Sequence, residues 1–401
     1  MSKKNRKWLV FTIMCLAYMP GSYAQYQLSV YAPELIQSFG LTTSQFSSLF
    51  TAPMIVAIFL SFVGGMISDK VGSKKVINIS FVIAGIGMIG RVFANSYMPF
   101  FLCMALTGFS NMFVNINASK ITASWFEQEK LGILMGIFAF CGQLPGAFAT
   151  ATTAVLFDSR TSAFIVSAIF CISVFVLWLL FVKDKPEDTM EEREKIDQEN
   201  QPSIGDSLKV VLSNKGIWLV SICIMMALGS MVTLSTFMPM ALQTMYGIDL
   251  KVCGTIASML TLGNCIGSIT GPIVFSKIKN VKVFVSGAAV LSFAGIIMCW
   301  RFPSIFVLHI LVLYTGIMLG ASMPIFLSAP VLLEGLGTKY AGSAAGVIST
   351  LQLLGAVLIP TYILTPIAGE NYSLLFMLAS ICMVIMFLCG LLLPQFGNNQ
   401  K

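Results

Sequence analysis

Long apolar stretches separated by short polar connections run along the whole chain. Twelve of these stretches reach the roughly 20 residues that a membrane-spanning helix needs. They lie at about residues 8–34, 45–68, 76–95, 98–120, 131–157, 161–182, 217–246, 251–276, 282–301, 304–333, 339–368 and 372–394. None alternates apolar and polar positions as a barrel strand does, and a helix pairs its backbone polar groups internally. The pattern therefore predicts an all-α membrane protein with twelve transmembrane helices.

One longer polar segment, residues 183–215, interrupts this pattern near the middle of the chain. It is rich in charged residues and separates six spans from six. We predict an N-terminal six-helix bundle over 1–182, a cytoplasmic central loop over 183–215 and a C-terminal six-helix bundle over 216–401. The loop is interpreted as a solvated linker with room for a short surface helix, and a docking site for a partner is the alternative.

The two halves show traces of an internal repeat. Residues 28–33, Leu-Ser-Val-Tyr-Ala-Pro, align with residues 234–239, Leu-Ser-Thr-Phe-Met-Pro, at an offset of 206 positions. The fifth and eleventh spans each carry a central glutamine, Gln143 and Gln352, at an offset of 209. Duplicated bundles are typical of carriers that work by alternating access, with the substrate bound near the middle of the membrane. We therefore predict two pseudo-symmetric bundles, with this pair of glutamines in the substrate site.

Charged residues make up only 10% of the chain, against about 25% in soluble domains. If the N-terminus is cytoplasmic, the outer helix ends hold four of the 24 lysine and arginine residues, and the remaining 20 lie on the inner side. This asymmetry follows the positive-inside rule. It predicts a plasma-membrane protein with both termini in the cytoplasm. Because the basic residues flank hydrophobic spans, nucleic acid is not a predicted partner. The basic N-terminus and the apolar residues after it are interpreted as a retained first helix rather than a signal peptide.

Residues for catalysis or metal binding are scarce. The ten cysteines fall in or beside apolar runs without any Cys-x-x-Cys pair, so we interpret them as small packing residues. There is a single histidine, and no serine–histidine–aspartate set or phosphate-binding loop is present in the sequence. The sequence therefore predicts neither an enzyme nor a bound metal or cofactor.

The loop after the second span combines glycine, an acid and several bases. Residues 65–75 read Gly-Met-Ile-Ser-Asp-Lys-Val-Gly-Ser-Lys-Lys. With twelve spans and a central loop, this motif resembles the signature of the major facilitator superfamily. The resemblance implies the fold of that family and a gating role for the motif residues Gly65, Asp69, Lys70, Gly72 and Lys74. The matching loop of the second half, residues 276–280, lacks the acid and the glycine, so we expect an asymmetric latch.

The central parts of the spans carry amides, hydroxyls and aromatic rings rather than charges. Such groups are costly in lipid unless they bond to neighbouring helices or face a wet cavity. The predicted substrate-binding residues are Tyr23, Tyr26, Gln27, Asn111, Asn115, Gln143, Thr233, Asn264, Tyr314 and Gln352. Glu34 and His309 are candidates for ion coupling. Arg91 and Arg301 lie about four residues or fewer from the outer surface, so no central arginine pair is expected to hold a multiply charged inorganic anion.

Two narrower resemblances bear on the substrate. Residues 25–33 are similar to the first span of oxalate/formate and monocarboxylate carriers, although the basic residues that those carriers use in spans eight and eleven are absent. Residues 124–126 and 142–144, together with Gln352, look like the choline/ethanolamine and heme-associated carriers, whose aromatic cage is not clearly kept.

The leading hypothesis is a secondary active or facilitative transporter of a small organic solute, which is an organic anion, a zwitterion or a small amine. Its expected partners are a small-molecule substrate, membrane lipid and a coupling proton or counter-substrate, and the chain is expected to act as a monomer. One alternative is a multidrug efflux carrier, which would need a protonatable acid in a roomier cavity. The other is a non-transporting receptor or scaffold on a carrier fold.

Overall fold

The computed structural model describes residues 3–126, 128–182, 204–302, 304–333 and 336–395. These residues form helices joined by short turns, and no strand occurs in these ranges. The α-helices are α1 (Lys3–Ala17), α2 (Met19–Val30), α3 (Ala32–Phe39), α4 (Thr43–Val71), α5 (Ser73–Phe93), α6 (Tyr97–Trp125), α7 (Gln128–Leu156), α8 (Arg160–Phe181), α9 (Ile204–Ser213), α10 (Lys215–Tyr246), α11 (Leu250–Ile278), α12 (Val281–Cys299), α13 (Ile305–Ala321), α14 (Met323–Leu332), α15 (Gly337–Leu358), α16 (Thr365–Ala368) and α17 (Tyr372–Leu392). A π-helix (Ile359–Leu364) joins α15 to α16.

The first predicted span is a chain of three short helices, α1 to α3. The breaks fall at Tyr18 and Tyr31, and a proline stands in the first turn of each following helix, at Pro20 and Pro33. Proline lacks a backbone N–H and restricts the residue before it, so it favours the start of a new helix over continuation of the old one. Within the described ranges, eleven further helical segments are long and apolar enough to cross a membrane. With the first span they make up the twelve-helix, all-α architecture.

The described chain divides into two compact units. The first comprises Met1–Pro186 with Ser235–Thr261, and the second comprises Glu187–Leu234 with Leu262–Lys401. Ser235–Thr261, the later part of α10 and the start of α11, packs on helices of the first half of the chain. Phe237 meets Phe46 edge to face with ring centroids 5.9 Å apart. The first unit therefore includes residues from beyond the predicted N-terminal bundle.

A stripe of glycines in α11 sets the helix packing of the second unit. Gly263, Gly267 and Gly271 stand four residues apart, and a Cβ on each would overlap a backbone carbonyl oxygen of α13 or of the residue that ends it. Small residues at this spacing let two helix backbones approach closely inside a membrane. Span eight and span ten are thus held together by backbone contact.

Glycines in the left-handed conformation end both the first and the seventh spans. Gly40 follows α3 with φ +62°, and Gly247 follows α10 with φ +64°. Glycine adopts these left-handed angles without steric cost. The two glycines end the first and seventh spans in the same way.

Only part of the predicted central loop lies within the described residues. Residues 204–213 form the short helix α9, and α10 begins at Lys215. Val210 and Leu212 are exposed on α9. The acidic run of the loop, residues 183–203, lies outside the described residues.

Candidate functional site

The break between α1 and α2 is held by an amide from the fourth span. The side chain of Asn111, on α6, lies against the first turn of α2. In the orientation that satisfies both of its ends, the Asn111 nitrogen donates to the Tyr18 carbonyl oxygen (3.2 Å) and its oxygen accepts from the Ser22 hydroxyl (3.0 Å) and backbone N–H (3.1 Å). Discontinuous helices of this kind line the substrate sites of many carriers. Asn111 therefore holds the interrupted part of the first span in place.

Two tyrosines of the first span pack into glycine notches of the fifth. A Cβ on Gly142 would overlap the ring of Tyr18, and one on Gly146 would lie 2.9 Å from the ring of Tyr26. The Tyr18 ring also stacks on Phe138, with centroids 4.7 Å apart and an interplanar angle of 18°. The glycines of α7 thus fix where these two aromatic rings stand.

Five polar side chains near this break, which we call the polar face, remain accessible to solvent. Ser22, Tyr26 and Asn111 are half-buried, whereas Asn115 and Gln143 are exposed. Exposed amides in the middle of apolar helices are unfavourable against lipid, so they indicate a surface that contacts water. The structure therefore leaves four of the predicted substrate-binding residues of the first unit accessible and adds Ser22, which contacts Asn111, to them.

The other predicted site residues of the first span, Gln27 and Tyr23, take part in helix packing. Gln27 is fully buried and donates from its Nε2 to the Ala163 carbonyl oxygen at 3.2 Å. The neighbouring Gln25 likewise donates to the Phe50 carbonyl oxygen at 2.8 Å. Tyr23 is half-buried and meets Phe170 edge to face, with centroids 6.3 Å apart.

In the second unit the predicted residues are divided between buried and half-buried positions. Thr233 donates within its own helix to the Gly229 carbonyl oxygen at 2.8 Å. Buried Asn264 donates to the Met231 sulfur at 3.0 Å. Tyr314 and Gln352 are half-buried. These last two are the predicted contacts of the second unit that retain solvent access.

The two candidates for ion coupling have different surroundings. Glu34 is exposed and forms an ion pair with Arg160, with 3.6 Å between Oε1 and Nε. The Arg160 guanidinium also lies 5.2 Å from the ring centroid of Phe39. His309 is half-buried, and its Nδ1 lies 2.8 Å from the Ile305 carbonyl oxygen one turn earlier. Neither residue belongs to the polar face.

The predicted gating motif spans the junction of α4 and α5. Gly72 separates the two helices with φ +94°, an angle that residues with a side chain rarely adopt. Lys74 is half-buried in the first turn of α5. The surroundings of Gly65 and of the Asp69 and Lys70 side chains are not among those that the structure describes. The gating role stays a prediction.

The most unusual side chain of the first unit, Arg91, is not among the predicted site residues. This arginine was expected near the outer surface, whereas only 1% of it is exposed. The guanidinium donates to the Ala24 carbonyl oxygen at 3.0 Å, to Gln27 Oε1 at 2.9 Å and to the Ser167 hydroxyl. Its central carbon lies 4.4 Å from the ring centroid of Phe164. Arg91 thus ties the third span to the first and the sixth.

Arg91 is a buried charge close to the polar face. No described aspartate or glutamate forms an ion pair with it, so its contacts come from neutral groups. Its Nη1 also lies 3.9 Å from the sulfur of Met104 on α6. Asn111 follows Met104 by seven residues, which is about two helical turns and ~10 Å along the same face. The contact of Arg91 with the Ala24 carbonyl oxygen places the positive charge against α2 between Ser22 and Tyr26, two residues of the polar face.

A Gly142→Ala substitution tests the packing of the first span on the fifth. The added methyl group would overlap the Tyr18 ring, and overpacking of this kind costs about 1–3 kcal/mol. We expect a lower thermal midpoint in detergent and reduced transport. Gly136→Ala on the same helix is the matched control, because a Cβ there meets nothing within 4 Å. Equal behaviour of the two variants would show that the notch is unimportant.

Twelve hydrophobic spans with accessible amides in their central parts are the architecture of a multi-pass membrane protein. The family model for the Major Facilitator Superfamily matches residues 10–360. The chain belongs to this superfamily.

Relatives with stated functions support the same classification. The chain is 24% identical over 364 residues to the "Probable sulfoacetate transporter SauU" of Cupriavidus necator, covering 85% of this chain and 83% of that protein. It is 22% identical over 309 residues to the galacturonate transporter of Dickeya chrysanthemi, covering 74% and 90%. It is also 23% identical over 374 residues to the membrane sensor protein UhpC of Salmonella typhimurium, covering 88% and 83%.

A solved structure shows the fold. A bacterial homolog of the human lysosomal transporter Spinster superposes with a TM-score of 0.77 at 13% identity, covering 98% of this chain and 95% of that one. The predictions of a twelve-helix major facilitator fold and of a carrier rather than an enzyme are confirmed. The protein transports a small-molecule substrate by alternating access.

Proposed function

We propose that this carrier transports a small organic anion across the plasma membrane, with both of its termini in the cytoplasm. The observation that carries the proposal is the charge of Arg91, which is buried against α2, the helix of Ser22 and Tyr26, without an acidic partner among the described residues. An uncompensated positive charge in a medium of low dielectric attracts an anion and repels a cation. Both transporters named above, for sulfoacetate and for galacturonate, carry organic anions.

The polar face supplies groups that suit such a substrate. The amides of Asn115 and Gln143 are exposed and can donate hydrogen bonds to a carboxylate or sulfonate, while their oxygens can accept from hydroxyl groups. Hydrogen bonds to a charged group are worth about 1.5–3 kcal/mol each. Half-buried Tyr26 adds an aromatic ring to the polar face. Tyr314 and Gln352 remain predicted contacts of the second unit.

The remaining parts of the predicted mechanism belong to the same proposal. The motif residues Asp69, Lys70, Gly72 and Lys74 act as the gate, and a proton or counter-substrate drives net flux of the anion. Glu34 forms an ion pair with Arg160 at 3.6 Å, and a coupling proton that binds the Glu34 carboxylate would break this ion pair. The protein acts as a monomer.

Uptake by purified protein in liposomes tests the class of substrate. The assay compares saturable, counterflow-driven uptake of a uronate and of a sulfonated carboxylate with uptake of a neutral hexose and of choline. We expect the anions to be carried and the other two solutes to be excluded. Preferred uptake of choline or of the hexose would overturn the proposal, and binding of an anion without any flux would favour a sensor, the function that the name of the UhpC relative gives.

Substitution of the exposed amides tests the site. Asn115→Ala combined with Gln143→Ala is expected to raise the KM for the anion at least about tenfold, because two hydrogen bonds to a charged group are lost. Thr152→Ala is the control, since residue 152 follows residue 143 by nine positions and lies on the opposite side of α7. An unchanged KM in the double variant, with folded protein at the wild-type level, would remove these residues from the site.

A further inference from the structure

A cavity lies at one end of the second unit. It has a volume of about 450 Å³ and is bounded by the starts of α10 and α12 and by the ends of α14 and α17. We call it the terminal groove. Its polar wall includes Asn214, Lys215 and Lys282, and its apolar wall includes Leu219, Leu333 and Leu392.

The polar wall of the terminal groove is positively charged. Lys215 and Lys282 are both exposed, and neither forms an ion pair with a described residue. The described residues that line the groove include no aspartate or glutamate. Glu334, which follows Leu333 in the chain, lies outside the described residues. Two exposed ammonium groups at the rim of one cavity suit a ligand with negative charge, such as a phosphate diester.

The apolar wall places the groove at the boundary of the hydrocarbon. Leu392 is 68% exposed and Trp218, next to Leu219, is 43% exposed, so apolar surface continues from the groove onto the outside of the bundle. The Trp218 indole N–H donates to the Leu212 carbonyl oxygen at 2.8 Å. Tryptophan is enriched where the headgroups meet the acyl chains, because its ring is apolar and its N–H is polar. The lysines therefore stand at headgroup level.

We propose that the terminal groove binds an anionic phospholipid. The phosphate of the headgroup lies between Lys215 and Lys282, and an acyl chain follows Leu219 and Leu392 outward along the bundle. A free phosphate would use the two lysines but gain nothing from the leucines, so the apolar wall favours a lipid. This inference does not depend on the identity of the transported solute.

Lipid retention by the purified full-length protein tests the proposal. The protein is exchanged into detergent with phosphatidylglycerol or phosphatidylcholine, and bound lipid is counted by native mass spectrometry without transport substrate. We expect preferential retention of phosphatidylglycerol. Lys215→Gln combined with Lys282→Gln should reduce that retention about tenfold or more, since each lysine near an anionic headgroup attracts it.

The control changes the same amount of charge elsewhere in the second unit. Lys209→Gln combined with Lys277→Gln removes two exposed lysines that do not line the groove, and retention should stay at the wild-type level. Equal losses in both double variants, or equal retention of the two lipids, would overturn the proposal. Displacement of phosphatidylglycerol by millimolar inorganic phosphate would assign the site to free phosphate and would overturn it as well.

Discussion

Replacing Arg91 with glutamine is expected to raise the KM for an anionic substrate roughly tenfold while leaving the uptake of that substrate saturable. The estimate is for an anion bound ~10 Å from the Arg91 guanidinium. Two unit charges ~10 Å apart in an effective dielectric of about 20 interact by ~1.7 kcal/mol, and 1.4 kcal/mol is a factor of ten in an equilibrium constant. Glutamine keeps a polar side chain in the site but removes the charge.

Arg91→Lys tests the contribution of the charge separately from that of the guanidinium hydrogen bonds. Lysine keeps the positive charge, but its ammonium group cannot reproduce the planar fork that reaches Ala24, Gln27 and Ser167 together. Both variants should therefore have lower thermal midpoints than the wild type. Only the glutamine variant should show the large rise in KM.

The measurement is initial uptake over a range of substrate concentrations, together with thermal unfolding of each variant in detergent. If the lysine and glutamine variants lose the same amount of affinity, Arg91 serves only to join the spans around it. Unchanged affinity in both variants would show that Arg91 does not contribute to anion binding. The substrate class would then be decided by the uptake assay in liposomes.

Gly267→Ala is expected to cause the largest loss of stability among the substitutions considered. The new methyl group would overlap the carbonyl oxygen of Ile317, and it would also lie 2.9 Å from the carbonyl carbon of Ile317 and 3.0 Å from the backbone nitrogen of Ala321. Side-chain overpacking costs about 1–3 kcal/mol, and backbone atoms of a second helix cannot rotate away as a side chain can. We expect a loss of about 3 kcal/mol or more and little folded protein.

Gly287→Ala is the matched control in the same unit. Gly287 lies within α12, and a Cβ there meets nothing within 4 Å. Alanine is favoured over glycine in a helix by about 1 kcal/mol, so this variant should be as stable as the wild type or slightly more so. Thermal unfolding in detergent and the yield of monodisperse protein compare the two variants, and equal yields would contradict close backbone packing at Gly267.

Much of the fold could be predicted because hydropathy reports directly on burial in lipid. The twelve stretches correspond to the observed spans, since every backbone polar group in the hydrocarbon has to be paired inside a helix. The subdivision of the first span was not predicted, although Pro20 and Pro33 stand in the sequence. Its apolar run continues through both prolines, so a hydropathy criterion gives one long segment where the structure has three helices.

The candidate site could be predicted only in part. Mid-span polarity identifies Asn111, Asn115 and Gln143, but it does not distinguish a wet surface from helix packing. Gln27 has the same residue type as Gln143 and is buried against Arg91 and Ala163. That difference depends on which helix lies opposite each residue, and this is information about tertiary structure.

Arg91 was missed because position along a span was taken as a measure of exposure. It belongs to the last turn of α5, where an arginine often extends toward the interface. Here the side chain turns inward, toward Gln27 and Ser167, which lie in different spans. The glycine spacing at 263, 267 and 271 was a readable packing signal that the sequence analysis did not use.

The π-helix at Ile359–Leu364 affects how residues of the fifth and eleventh spans are paired. α7 is α-helical from Gln128 to Leu156, whereas the eleventh span passes from α15 into the π-helix after Leu358. A π-helix bonds residue i to residue i+5, so each of its turns holds more residues than a turn of α-helix. The constant shift of 209 that pairs Gln143 with Gln352 therefore applies only as far as Leu358, and mutant pairs chosen by symmetry beyond it need a gap in the alignment.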